Sequence, residues 1–211
     1  MSFTRNDSNA AKIGGSARIN ATGGYEGVIT RAEPLPRKDS GALGIQIDFK
    51  SHDGATALFL DLYYQNGTGE ELSGRRLIDA LMLCLRVKSM EPTLATVDKW
   101  DKNSGGMIKT KANCFVELMG KPIGLVLQKE HSTYQGQPRE KMLIYACYDI
   151  ASRKTPKEII ERAPKAVALD AILGSIKDKV EKPKGGAGGG YQQQQSSMPP
   201  SGFPDDDDIP Y

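Results

Sequence analysis

Residue types that carry covalent chemistry are sparse in this chain. It holds two histidines, His52 and His131, and three cysteines, Cys84, Cys114 and Cys147. Two histidines are too few for a His-based metal site. An odd number of widely spaced cysteines with no CxxC points to buried thiols in a reducing compartment. No GxSxG, HExxH or Cys–His pair with a supporting motif is present. Gly105-Gly106-Met107-Ile108-Lys109-Thr110 ends like a phosphate loop but lacks its adjacent Gly-Lys and its spacing. Asp48 and Asp61 are isolated carboxylates on strand faces read as outer. The expectation is a protein that is not an enzyme and needs no cofactor and no metal.

The remaining chemistry is non-covalent. Ten Phe, Tyr and Trp lie between Tyr25 and Tyr148. Exposed aromatic faces stack on bases, and cations beside them pair with phosphates. Phe59 and Tyr63 share the outer face of one strand. Trp100 sits among charges in Asp98-Lys99-Trp100-Asp101-Lys102, a setting that favours exposure. Tyr145 shares a face with Leu143 and Cys147, which leaves Tyr148 as the outward aromatic of its strand; Phe115 also faces away from its apolar neighbours. Tyr134 stands in a polar loop. Lys109, Lys111, Lys121, Lys129, Arg139 and Lys141 are phosphate candidates near these rings. Arg31, Arg37, Lys38 and Lys50 form a second set at the other end of the first strands. The candidate DNA-binding residues are thus Arg31, Lys50, Phe59, Tyr63, Trp100, Lys109, Lys111, Tyr134, Arg139, Lys141 and Tyr148.

The charge balance agrees once it is divided along the chain. Lys and Arg number 28 against 26 Asp and Glu. All 28 cations lie at or before Lys184, and four of the carboxylates lie after it, so residues 1–184 carry +6 and residues 185–211 carry −4. A basic body with an acidic tail suits a polyanionic ligand.

The elements that must position these side chains follow from periodicity. Residues 1–22 read as a loose polar arm. Period two marks strands at Tyr25–Glu33, at Leu43, Ile45, Ile47 and Phe49, and at Leu58, Leu60, Leu62 and Tyr64. Ser73 then caps a helix with Leu77, Ile78, Leu81 and Leu85 on one face. Residues 89–112 read as a loop. Strands return at Asn113–Met119, Ile123–Lys129 and Lys141–Asp149, with a polar loop from His131 to Arg139. A short helix over Thr155–Ile160 and a longer one over Pro164–Val180 close the body. Three strands, a helix and about three more strands predict a mainly β protein. It is an OB-fold-like antiparallel barrel of five or six strands, with a helix between strands 3 and 4 and a C-terminal helix. A β-sandwich is the alternative, and a parallel α/β sheet is excluded because strands and helices do not alternate. The organisation is an arm (1–22), a body (23–182), a Gly/Gln/Pro linker (183–202) and an acidic tip (203–211). The tail from residue 185 has too few apolar residues to offset its ordering entropy and is expected to be disordered. No apolar run is long enough to span a membrane, and the first residues hold no apolar signal segment, so a cytoplasmic protein is expected.

The tip reads Asp205-Asp206-Asp207-Asp208-Ile209-Pro210-Tyr211. A solubilising tail needs the charge but has no use for a terminal apolar pair. The arrangement fits a short linear motif: Ile209 and Tyr211 enter an apolar pocket, the α-carboxylate meets a cation, and the aspartates steer onto a basic rim. Asp206 to Tyr211 resembles the Asp-Asp-Asp-Ile-Pro-Phe end of bacterial single-stranded DNA-binding proteins, with Tyr in place of Phe. The linker is similar in kind, whereas the body does not align with theirs. The whole plan is similar to that of bacteriophage single-stranded DNA-binding proteins, which pair a larger OB-fold with an acidic tail ending in an aromatic residue.

That resemblance implies an OB-fold and sequence-tolerant coating of single-stranded DNA in replication, recombination and repair. It also implies a tip, Asp205 to Tyr211, that recruits partners such as a polymerase, helicase or nuclease. The setting would be a bacterial cytoplasm, that of the host if the chain is phage-encoded. The resemblance leaves a homo-oligomer open. The alternative function is a recombination mediator, annealing protein or adaptor with little coating role. A tethered polyanion also competes with DNA for a basic groove, so deleting residues 203–211 is expected to raise DNA affinity at low salt.

Overall fold

In the second strand Ile45, Ile47 and Phe49 are fully buried, and in the third Leu60 and Leu62 are nearly so. Alternation chose the core face for these five, whereas Leu43 at the head of the second strand is exposed and Leu58 and Tyr64 are half-buried. The computed structural model describes residues 18–37, 39–134 and 136–180, the side chain of Tyr134 excepted. The arm before residue 18, Lys38, the linker and the tip lie outside the described residues.

The described chain is mainly β. Strands β1 (Gly23–Pro36), β2 (Leu43–Ser51) and β3 (Thr56–Gln65) form an antiparallel meander, followed by helix α1 (Gly74–Cys84). Strands β4 (Thr93–Asp101) and β5 (Gly106–Cys114) form a separate two-stranded ribbon. A 3-10 turn (Val116–Leu118) leads to β6 (Pro122–Tyr134) and β7 (Gln137–Tyr148). Helices α2 (Pro156–Ile160) and α3 (Ala168–Ser175) and a short β8 (Lys179–Val180) complete it. The main sheet runs β3-β2-β1-β6-β7, with β8 parallel to β6. Its outer strands β3 and β7 approach one another, but no ladder joins them, so the sheet is not closed into a barrel. Among the described residues no helix is long and apolar enough to cross a membrane.

The larger core lies between the inner sheet face and α1, where Ile78, Leu81 and Leu85 meet Ile29, Ile47, Leu118 and Leu125. Cys84 and Cys147 meet there as free thiols, sulfur to sulfur 3.8 Å. The hydrogen bond to Cys84, with burial, pushes the Cys147 pKa up, so it remains a thiol. A smaller core lies on the opposite sheet face, where Val126 and Tyr148 pack under Leu169, Ile172 and Leu173 of α3.

Several expectations are corrected. Residues 93–114 form the ribbon rather than a loop, because nine consecutive cross-strand pairs run from Thr93–Cys114 to Asp101–Gly106. The turn between them has Ser104 N–H donating to Asp101 at 2.8 Å and Gly105 at φ +64°. The strand expected over Asn113–Met119 stops at Cys114, and Phe115 is buried instead of outward. His131 to Arg139 is not a loop but the paired ends of β6 and β7. Ser73 makes no side-chain cap. The last helix is shorter than Pro164–Val180.

The two short helices are joined by one carboxylate. Glu158 completes a capping box with Thr155 and also accepts the Val167 and Ala168 N–H groups, at 2.7 and 2.9 Å, where α3 begins. Burial pushes its pKa up, but these backbone donors and the Thr155 hydroxyl outweigh it and hold it at about 2. A depressed folded-state pKa contributes stability above the ordinary 4.5 and loses it as pH falls towards 2. Glu158→Gln is expected to cost about 2 kcal/mol at neutral pH. In urea unfolding the gap from the parent should narrow as the pH is lowered through that window. A gap that is constant with pH would show that the charge plays no part.

Candidate nucleic-acid interface

The β4–β5 register decides which ribbon side chains share a face. Leu94, Thr96, Asp98 and Trp100 of β4 stand directly opposite Asn113, Lys111, Lys109 and Met107 of β5. All eight are exposed. The other face is turned inward only towards the base: Val97 is buried and Lys99 Nζ reaches Glu33 of β1 at 2.7 Å, whereas Ile108 opposite Lys99 is 43% exposed. The ribbon base is tied to β1 by Phe115 N–H donating to Ala32 O at 2.8 Å. Trp100, Lys109 and Lys111 are thereby brought to one open face, with Trp100 41% and Met107 48% exposed. Among the described residues neither lysine makes an ion pair, and Asp98 is the only carboxylate on that face. An indole and a thioether side by side, followed by two cations about 7 Å apart along the strand, suit a base followed by its backbone phosphates. Met107 was missed by sequence reasoning. Its signal was the alternation of Val97, Lys99 and Lys109, Lys111 around Asn103-Ser104-Gly105-Gly106, a hairpin pattern.

A second basic feature lies at the open seam. Between β3 and β7 is a cleft of about 280 Å³. Phe59 of β3 and Arg139, Lys141 and Glu140 of β7 line it, with Arg18 and Lys129. Arg18, missed by the sequence reading, is placed there because Ile19 is buried and its N–H donates to Thr56 O at 2.8 Å. Lys129 is paired with Glu140 and Lys141 with Glu130, both at 2.8 Å. Glu130 is buried between Lys141 and Lys179. Burial raises its pKa, and the two lysines more than reverse this. Lys141 is therefore engaged first in the fold. Arg139, exposed and without an ion pair among the described residues, is the freer cation.

Phe59 owes its position to a bulge. Ile47 pairs with Leu60 and Phe49 with Ala57, so Leu58 and Phe59 together oppose Asp48. Phe59 adopts φ +60°, a region that costs energy for a side chain of this size. Its N–H donates to Asp48 Oδ1 at 2.8 Å, and the Arg31 guanidinium lies 5.8 Å from its ring centre. The ring is 39% exposed. Tyr63, half-buried, has Arg37 over its ring at 5.6 Å. Lys50 is exposed at the end of β2 and is not part of the cleft. Tyr134 ends β6, its side chain outside the described residues.

Two candidates are corrected by burial. Arg31 is 0% exposed: Nε and Nη2 bind the Asp48 carboxylate at 2.6 and 2.9 Å, and Nη2 also reaches Gln46 at 3.0 Å. Asp48 is likewise buried rather than on an open face. Burial opposes the guanidinium charge, but Asp48 and Glu33 prevail and raise its pKa. Tyr148 does face away from Cys147, as alternation requires, but α3 roofs that face and leaves it 3% exposed. Burial, with the nearby Glu26 charge, pushes its pKa up to about 12. Conversely Tyr145 is 44% exposed, because the β6–β7 register shifts at Val126/Leu127 and puts Ile144 and Cys147 inside. The Tyr148 ring lies against Gly124, where a Cβ would collide with it. Gly124→Ala is expected to cost about 1–3 kcal/mol by overpacking. Urea unfolding measures it, and an unchanged midpoint would mean that the ring has room to move.

No protein-family model matches the chain, and no curated protein matches it.

Proposed function

We propose that this chain is a sequence-tolerant single-stranded DNA-binding protein with an OB-fold-like body. The observation that carries the reading is the outer face of the β4–β5 ribbon, where Trp100, Met107, Lys109 and Lys111 stand exposed together. Stacking and phosphate pairing recognise any sequence, because every base has a π-face and every nucleotide a charge. The cleft at the β3–β7 seam, with Phe59, Arg18 and Arg139, supplies a second stretch of the same chemistry. The OB-like reading is supported by chain order: a three-stranded meander, α1, and then, past the ribbon, two strands of which the first pairs back with β1. Replication, recombination and repair partners would be recruited through Asp205 to Tyr211, by the resemblance of that tip.

The test uses Trp100, the sole tryptophan, as reporter. A poly-dT oligonucleotide is titrated onto the full chain across a salt series. Quenching, with affinity falling log-linearly as salt rises, is the expected result. No binding at low salt would overturn the reading and favour a protein adaptor.

A further inference from the structure

Two nucleophilic side chains of the body have no part in the ribbon or the seam. Cys84 and Cys147 are 63 residues apart in the chain and meet sulfur to sulfur at 3.8 Å, the Cys147 thiol donating to the Cys84 sulfur. Cys84 is the last residue of α1, and Cys147 is the inward neighbour of Tyr148 on β7. The third cysteine, Cys114, ends β5 and makes no sulfur–sulfur contact among the described residues.

The thiols differ in access. A cavity of about 590 Å³ lies between the end of α1 and α2, and Cys84 is one of its lining residues. Cys84 is 6% exposed, against 1% for Cys147 and 0% for Cys114. Arg86, Lys88, Lys154 and Arg162 line the same cavity with one carboxylate, Asp149. Negative charge developing there on a departing oxygen meets a positive field. The hydrogen bond to Cys84, with burial, keeps Cys147 protonated. Cys84 is therefore the sulfur placed to react first, with a second thiol directly behind it, the arrangement that carries an oxidised cysteine on to a disulfide.

We propose that Cys84 is a site of oxidation by a hydroperoxide and that Cys147 resolves the product into a disulfide tying α1 to β7. The Cys84 sulfur attacks one peroxide oxygen and the O–O bond breaks. The departing oxygen takes the thiol proton and leaves as an alcohol, or as water from hydrogen peroxide, and Cys84 becomes a sulfenic acid. The Cys147 sulfur then attacks the Cys84 sulfur. The S–S bond forms, the S–O bond breaks, and hydroxide leaves as water with the Cys147 proton. Each sulfur is oxidised by one electron, and the peroxide is reduced by two. From 3.8 Å the sulfurs must close by about 1.8 Å to reach bonding distance. The terminal position of Cys84 on α1 favours that movement, because helix ends fray. In a reducing compartment the link is transient, since exchange with small thiols returns both cysteines.

The test treats the full, folded chain with graded hydrogen peroxide, blocks free thiols under denaturing conditions, and maps the unreduced peptides by mass spectrometry. The Cys84–Cys147 link should form roughly tenfold faster or more than any oxidation of Cys114, which serves as the internal control. Closing a loop of this length should raise the melting midpoint by about 4–16 °C, and a thiol reductant should reverse the rise. In Cys147→Ala, dimedone should trap a sulfenic acid at Cys84. In Cys84→Ala, Cys147 should stay reduced. Cys114 oxidised as fast as the pair would overturn the proposal, as would a link formed only in urea or only between differently isotope-labelled chains. A sulfenic acid at Cys147 in Cys84→Ala would overturn the assigned order, and a midpoint that does not rise would overturn the tie. The measurements on the parent chain stand even if a variant fails to fold.

Discussion

Asp48→Ala is expected to destabilise the protein by about 3–5 kcal/mol, the largest effect of any single polar substitution in the body. The carboxylate accepts two guanidinium N–H groups of Arg31 and the Phe59 N–H, all out of water. Its removal leaves a charge at 0% exposure with only Glu33 and Gln46 nearby. The pair as a whole contributes far less, because desolvation offsets most of its attraction. Arg31→Met/Asp48→Ala should therefore recover much of the loss, leaving mainly the unpaired Phe59 N–H. Urea midpoints of the two variants measure the difference. A double variant no more stable than Asp48→Ala would show that the buried charge is not the cause. Phe59 should suffer in both, since its strained backbone is held by Asp48 and its ring rests on Arg31. Binding at the seam should weaken even where the protein stays folded.

Trp100→Ala is expected to weaken oligonucleotide binding by about 1–3 kcal/mol, the value of one base stacked on an aromatic ring. That is roughly a factor of 5 to 150 in Kd. Tyrosine at the same position should restore most of it. Lys109→Ala/Lys111→Ala should act differently: the loss is largest at low salt, and the salt slope falls by about 0.7 for each phosphate contact removed. All three side chains are exposed and no described residue covers their face, so stability should change by no more than about 0.5 kcal/mol. Fluorescence anisotropy of a labelled poly-dT serves here, since one variant lacks the tryptophan. If neither variant changes affinity or slope, the ribbon is not the interface, and the seam cleft becomes the place to look.

Local pattern by itself determined much of this protein. Ile45, Ile47 and Phe49, with Leu60 and Leu62, alternate strictly, and a half-buried strand must place such residues inside. Ile78, Leu81 and Leu85 lie on one helical stripe, and a short helix over Thr155–Ile160 was legible as well. Lys109 and Lys111 could be seen to share a face with one another. That they share it with Trp100 could not, because the partner strand was read as loop. Its charges hid the strand: a ribbon exposed on one side needs few apolar residues, so its periodicity is faint.

Tertiary structure decided the rest, and it did so through burial and bulges. Periodicity says which side of a strand a residue occupies but not whether another layer covers that side. Arg31 and Tyr148 are inaccessible because a buried carboxylate and α3 meet them there. A bulge adds a residue to one strand and inverts the alternation beyond it, which exposes Tyr145 and strains Phe59 outward. Unpaired cations are likewise a property of the fold, since an ion pair joins residues that the chain order keeps apart. Only the folded arrangement shows that Arg86, Lys88, Lys154 and Arg162 line one pocket without an ion pair among the described residues.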